Sequence, residues 1–68
     1  MSMYIMSFKV VIAHLLSEVQ DREAVFGFKT EYSPVCDEVW NIALRNVQLQ
    51  LNAHEYIKSL SLEKVETE

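Results

Sequence analysis

The fold predicted from this sequence depends on residues 34–59, which read PVCDEVWNIALRNVQLQLNAHEYIKS. Ser33 precedes this stretch and is a favoured N-cap residue, and Pro34 suits the first helical position. Asp37 and Glu38 then lie near the positive end of the helix dipole. Neither glycine nor a further proline follows in the stretch. The sequence therefore predicts one long helix over about residues 34–59.

Apolar residues form two stripes along this predicted helix when successive residues are placed roughly 100° apart. The first stripe consists of Val35, Val39, Ile42, Leu49, Ala53, Ile57 and Leu60. The second stripe consists of Trp40, Ala43, Leu44, Val47 and Leu51. A helix that packs against one neighbour needs a single stripe only a little wider than about 100°. The second stripe therefore predicts a second neighbour, and we expect its residues to mediate self-association.

A second amphipathic helix is predicted over about residues 7–24, because apolar residues recur there at spacings of three and four. Gly27, the only glycine, marks its expected end. The predicted fold is all-α: a helical hairpin in one domain over residues 1–60, followed by a frayed acidic tail over residues 61–68. Since the first helix covers only one stripe, we expect two hairpins to pair as a dimeric four-helix bundle.

The connection from Val25 to Tyr32 has two interpretations. Its residues alternate in the manner of a strand and include β-favouring types. Within the chain, only residues 4–11 could pair with such a strand; otherwise a second subunit must supply the partner, because an isolated strand is not stable. The alternative is a loop held to the core by its three aromatic side chains, and the all-α fold favours this loop.

Length, composition and charge restrict the class of protein. The chain has 68 residues, half of them hydrophobic, and a net charge of −4. A domain this small buries only about 60% of the surface that its unfolded chain exposes, so a partner chain is expected to add stability. Cys36 is the only cysteine, which favours a reducing, cytoplasmic setting. The apolar N-terminal run is too short to span a membrane and lacks the pattern of a secretory signal.

Enzymatic, cofactor-binding and metal-binding classes receive no support from the sequence. His14, Cys36 and His54 are the only soft or borderline metal ligands, and none are three or four residues apart. A single glycine excludes a glycine-rich phosphate loop. Six scattered basic residues and a negative net charge disfavour nucleic-acid binding. We therefore expect a non-enzymatic protein without cofactor or metal, and without nucleic-acid or membrane binding.

The remaining polar and aromatic residues indicate a surface for a larger protein. In the predicted hairpin, acidic residues from both helices meet at one end, Tyr32 and Tyr56 have polar tips suited to an interface, and Arg45 is a polar anchor. The predicted surface comprises Glu18, Asp21, Tyr32, Asp37, Glu38, Arg45 and Tyr56. The alternative is that its carboxylates only keep the protein soluble.

An adaptor or inhibitor that acts as a homo-oligomer is the first functional hypothesis. One alternative is a structural subunit of a larger homo-oligomer. Another is a small-ligand or nucleotide sponge with an intersubunit pocket lined by Tyr32, Arg45 and Tyr56.

Overall fold

The architecture is a three-stranded antiparallel sheet with one helix packed on one of its faces. The computed structural model describes residues 3–16 and 20–68. Along the chain these form β1 (Tyr4–His14), β2 (Arg22–Thr30), α1 (Asp37–Gln48) and β3 (Glu55–Thr67). The sheet order is β2-β1-β3. The predicted all-α helical hairpin, and with it the four-helix bundle built from such hairpins, is wrong.

Strand β1 lies at the centre of the sheet and supplies most of the core. Met6, Phe8, Val10 and Ile12 alternate along it, and each is at most 3% exposed. Alternate residues of a strand point to the same face, so these four side chains all meet the helix. The hydrophobic core is therefore built along one face of β1.

The predicted helix over residues 7–24 is wrong, because this range holds most of β1 and the start of β2. Its sequence resembles a helix because β1 is apolar on both faces. Phe8 and Ile12 face α1, whereas Val11 lies on the opposite face and is half-buried. When the apolar residues of both faces are counted together, they recur at spacings of three and four, as they do in an amphipathic helix. The predicted helix also ran through the connection between β1 and β2, of which residues 17–19 lie outside the described part of the chain.

The alternation from Val25 to Tyr32 does mark a strand, and the favoured loop interpretation is wrong. β2 pairs with β1 from Tyr4↔Thr30 to Ile12↔Arg22 without a register shift. Phe26 and Phe28 stack on Phe8 with ring centroids 5.6 and 5.5 Å away. The aromatic residues thus belong to a paired strand.

Gly27 lies inside β2 instead of ending a helix. A Cβ atom at this position would be 2.7 Å from the backbone carbonyl oxygen of Met6. The glycine therefore allows β1 and β2 to approach closely at this point.

Helix α1 is shorter than predicted at both ends. It begins at Asp37, after a turn in which the Val35 N–H donates to Ser33 Oγ over 3.4 Å, and it ends at Gln48. Val39, Ala43 and Val47 are buried against the sheet. Only the middle of the predicted second helix is therefore helical.

Beyond α1 the chain reverses and enters β3. His54 has a φ of 67°, in the left-handed region that few residues other than glycine adopt. β3 then pairs with β1 as far as Thr67, so most of the predicted frayed tail over residues 61–68 lies in this strand.

A bulge explains why the start of β3 has the apolar spacing of a helix. Ile57 and Leu60 both pack in the core between the sheet and α1, although they are three residues apart. The register shift between Val11 and Ile12 inserts Lys58 between them. A bulge adds one residue and so changes the strand spacing of two into a spacing of three. The prediction of a helix up to residue 59 is wrong for this reason.

The helix runs along the length of the sheet. Val39 and Ala43 pack with Met6 and Phe8, while Val47 packs with the other end of β1. The N-terminus of α1 is therefore at the end of the sheet where β1 begins, which we call the Tyr4 end. The C-terminus of α1 is at the opposite end, the His14 end. The molecule is elongated, with extents of 46 × 16 × 16 Å.

Candidate protein-binding surfaces

The acidic residues predicted to form one surface lie at opposite ends of the molecule. Asp21 immediately precedes β2 at the His14 end, whereas Asp37 and Glu38 begin α1 at the Tyr4 end. Glu18 lies outside the described residues. β2 carries the chain from one end to the other, which a helical hairpin would not have done at this point. The structure thus does not bring the predicted acidic clusters together.

Tyr32, Arg45 and Tyr56 are also separated. Tyr32 follows β2 at the Tyr4 end and is 46% exposed. Arg45 is exposed near the C-terminus of α1, and Tyr56 pairs with Ala13 on the sheet face that points away from the helix. No pocket is found in the part of the chain that the structure describes.

The five residues predicted to mediate self-association lie on the helix and just beyond it. Ala43 and Val47 are buried against this chain's own sheet, and Trp40 and Leu51 are partly buried in the same core. Leu44 is 37% exposed. Self-association through these residues stays a prediction, and Leu44 is its most accessible member.

The Tyr4 end presents a group of exposed residues that we call the acidic end surface: Glu31, Tyr32, Val35, Asp37 and Glu38. Val35 is the most exposed large hydrophobic residue described, at 90%. An apolar side chain with charged neighbours on both sides of it in the chain is thus presented to solvent. Sequence reasoning found three of the five members and missed Val35, because it assigned that residue to a helix stripe.

Local hydrogen bonds hold the segment that carries this surface. The Tyr32 N–H donates to Thr30 Oγ1 over 3.1 Å, and the Cys36 N–H donates to the Ser33 carbonyl oxygen over 2.9 Å. Thr30 is itself buried. These contacts hold the backbone between β2 and α1 in a turn that presents the exposed side chains on one segment.

Carboxylates at this end differ in their ion pairing. Glu66 pairs with Lys64 over 2.7 Å, and Glu68 pairs with Lys29 over 3.5 Å. Among the described residues, no ion pair forms to the carboxylates of the acidic end surface, namely those of Glu31, Asp37 and Glu38. Their negative charge is therefore not neutralised within the described part of the chain.

The His14 end is held by a bidentate ion pair between β2 and β3. Arg22 Nε donates to Glu55 Oε2, and Arg22 Nη2 donates to Glu55 Oε1, both over 3.0 Å. The Asn52 N–H also donates to Glu55 Oε1 over 2.7 Å. The hydrogen bonds from Arg22, and then that from Asn52, lower the pKa of Glu55 to about 2. The pair joins strands that lie on either side of β1.

Replacing Glu55 with glutamine should reduce the acid sensitivity of the fold. Because the folded pKa of Glu55 is below its unfolded value, its ion pair stabilises the protein above about pH 5, and this stabilisation is lost as the pH falls towards about 2. Urea unfolding midpoints measured across this range should therefore fall less for Glu55→Gln than for the wild type. Glu63→Gln removes another carboxylate of β3 and serves as the control. Equal pH dependence of Glu55→Gln and the wild type would contradict this role.

The two histidines are neighbours at the same end. Their ring centroids are 6.0 Å apart, and the Leu16 N–H donates to His14 Nδ1 over 3.2 Å. The described residues contain no group of three side chains able to hold a metal ion. Sequence reasoning did not place His14 beside His54, because only the pairing of β1 with β3 brings them together.

The outer edges of the sheet form a further candidate surface. β2 and β3 each have one β1-facing edge and one edge without a partner in the described chain. Beside the β2 edge, Val25 is 71% exposed on the face away from the helix. Unpaired strand edges present backbone N–H and C=O groups that can bind another strand. The alternation in residues 25–32 was the sequence signal for this edge.

Comparisons with protein-family models, curated proteins and solved structures gave no match. The helix that the structure describes is too short and too polar to cross a membrane.

Proposed function

We propose that the protein is a small, non-enzymatic adaptor or inhibitor of the cytoplasm, which acts as a homo-oligomer and binds a larger protein through the acidic end surface. The observation that carries the proposal is Val35, which is 90% exposed on a hydrogen-bonded turn, between carboxylates that form no ion pair with any other described residue. A reducing compartment suits the free thiol of Cys36.

An exposed apolar residue with charged neighbours has the composition of a small protein interface. Binding energy usually concentrates in a few apolar or aromatic residues that a partner desolvates, while charges around them guide association. Here Val35 and Tyr32 are the apolar and aromatic members, and Glu31, Asp37 and Glu38 supply the charge. The partner is therefore expected to combine basic residues with a shallow apolar pocket.

Peptides selected from a displayed random library against the wild-type protein provide the probe for this surface. We expect the selected peptides to be basic and to contain an apolar residue. Val35→Ser, and separately Asp37→Asn combined with Glu38→Gln, should each weaken peptide binding roughly tenfold in calorimetry. Neutral replacements are chosen because reversed charges at a helix N-terminus would themselves disturb the helix.

Glu63→Gln is the matched control, because it removes a carboxylate of β3 outside the acidic end surface. It should leave peptide binding unchanged, and thermal unfolding of every variant shows whether the fold persists. Selection of acidic peptides, or equal binding by all variants, would argue against the proposed surface.

A structural subunit is the second candidate function. The observation that favours it is the presence of two sheet edges on one chain, since chains with two open edges can associate repeatedly. Light scattering separates the two candidates, because a structural subunit forms large assemblies and an adaptor forms a small oligomer of defined size.

A further inference from the structure

The two outer edges of the sheet differ in how well they can accept another strand. In β3, register shifts leave Lys58 and Glu63 as extra residues opposite β1. Bulges and charged residues on an edge strand are known devices against strand addition. β2 has nine residues and pairs with β1 in one continuous register. The regular edge available for strand addition is therefore that of β2.

The β2 sequence is complementary to itself in the antiparallel direction. On the face away from the helix it carries Glu23, Val25, Gly27 and Lys29 in order. A second β2 strand related by a twofold axis through Phe26 places Glu23 opposite Lys29 and Val25 opposite Gly27. Opposite charges on facing residues stabilise a pair of strands, and this pair occurs twice. The exposed Val25 side chain meets the space that the glycine leaves.

An axis through Gly27 is unfavourable. It places Glu23 opposite Glu31, and like charges that face each other across two strands are destabilising. This register would also place the exposed Val25 opposite a lysine.

A twofold axis through Val25 also gives poorer charge pairing than the axis through Phe26. It places Lys29 opposite Asp21, whose Oδ2 already accepts a hydrogen bond from Lys58 Nζ over 2.7 Å. It leaves Glu23 opposite a glycine. The charges of β2 therefore favour the axis through Phe26.

The charges needed for the intermolecular pairs are held only weakly within the chain. Glu23 pairs with Lys9 over 3.4 Å, and Lys29 pairs with Glu68 over 3.5 Å. The side chains of all four residues are more than a third exposed. Exposed pairs of this kind contribute little, so they can be exchanged for new partners.

We propose that the β2 edge binds the β2 edge of a second copy of this chain, antiparallel about a twofold axis at Phe26, and so forms one continuous sheet across the dimer. This inference specifies the self-association in the proposed function and rests on it. It differs from association through Leu44 and the other predicted helix residues, because the contact is made by the sheet edge.

A charge exchange tests both the edge and the register. In Glu23→Lys and in Lys29→Glu, like charges lie opposite each other across the axis, so each variant should dimerise roughly tenfold more weakly than the wild type in sedimentation equilibrium. Mixing the two variants restores opposite charges in the heterodimer. The double variant Glu23→Lys/Lys29→Glu restores them in a homodimer. Both are expected to regain affinity close to that of the wild type.

Control variants separate this edge from other surfaces. Glu63→Lys alters the bulged β3 edge and should leave dimerisation unchanged, whereas Leu44→Asp tests the helix surface. Thermal unfolding of each variant monitors the fold. Weakening by Leu44→Asp but not by Glu23→Lys would overturn the β2 interface while leaving self-association intact, and failure of the exchange to restore affinity would overturn the register.

A wild-type protein that is monomeric at every concentration would overturn both this inference and the homo-oligomeric part of the proposed function. Peptide binding at the acidic end surface is measured independently, so it can stand or fail without the dimer. If the β2 edge binds an extended segment of another protein instead, the wild type will be monomeric alone, and the inference is equally overturned.

Discussion

Replacing Phe8 with alanine should remove a large share of the protein's free energy of unfolding. Phe8 is fully buried on the central strand, stacks on Phe26 and Phe28, and meets the Trp40 ring edge-on at 5.3 Å between centroids. Truncation of a buried phenylalanine to alanine costs about 3–5 kcal/mol. A chain of this length has a total free energy of unfolding of only about 3–10 kcal/mol. The substitution therefore removes a large share of the stability.

Urea unfolding followed by circular dichroism and tryptophan fluorescence measures this effect, because Trp40 reports on the same cluster. Phe8→Leu, which retains much of the apolar volume, should lose considerably less stability. Val35→Ala alters an exposed side chain and should unfold like the wild type. A Phe8→Ala protein with the wild-type unfolding midpoint would show that Phe8 does not hold the core together.

Replacing Gly27 with alanine should destabilise the protein by about 1–3 kcal/mol, as expected when a group is forced into a packed position. The added Cβ would lie 2.7 Å from the Met6 carbonyl oxygen, which belongs to the central strand and is held by neighbours on both sides. The backbone at Gly27 does not have a positive φ, so the cost comes from the close contact and not from the dihedral angle.

The sign of this effect distinguishes the strand from the loop that the sequence favoured. In an unstrained loop, replacing glycine with alanine restricts the unfolded chain and stabilises a protein by about 0.4–1 kcal/mol. Chemical denaturation of Gly27→Ala against the wild type therefore decides between them. Val35→Ala, which alters an exposed side chain in the turn outside the sheet, is the control, and an increase in stability for Gly27→Ala would contradict the close approach of β1 and β2.

Much of the misprediction came from periodicity that arises outside helices. In β3, the bulge at Lys58 turns strand spacing into helical spacing, so Ile57 and Leu60 fall in sequence at positions that would continue the apolar stripe of α1. Bulges depend on pairing with β1 and leave no local signal. In β1, a central strand with apolar residues on both faces, the sequence shows the same helical spacing.

What could be predicted was the part of the fold in which local signals agree. The helix around Val39, Ala43 and Val47 was found, because its apolar spacing, acidic first turn and lack of helix breakers all point to a helix. The β2 strand also had a clear local signal in its alternation. The loop interpretation nevertheless outweighs this signal in the sequence, because the residues of the partner strand, β1, have the apolar spacing of a helix.

The candidate surfaces depend on strand pairing that has no signal in the sequence. Arg22 and Glu55 are 33 residues apart and meet only because β2 and β3 flank β1. Asp37 and Glu38 were correctly placed at the start of a helix, but the fold sets them at the end opposite Asp21. The position of Asp37 and Glu38 at a helix start therefore depends on one element, whereas the Arg22–Glu55 pair depends on which strands adjoin.

Residue-resolved amide hydrogen exchange along β2 tests the central claim most directly. In a monomer, only alternate amides of this edge strand face β1 and are protected, whereas in the proposed dimer the remaining amides bond to the second copy. We therefore predict protection of consecutive amides from Glu23 to Lys29 in concentrated protein, reduced to alternate amides on dilution. An alternating pattern that does not change with concentration would contradict pairing of the two β2 edges.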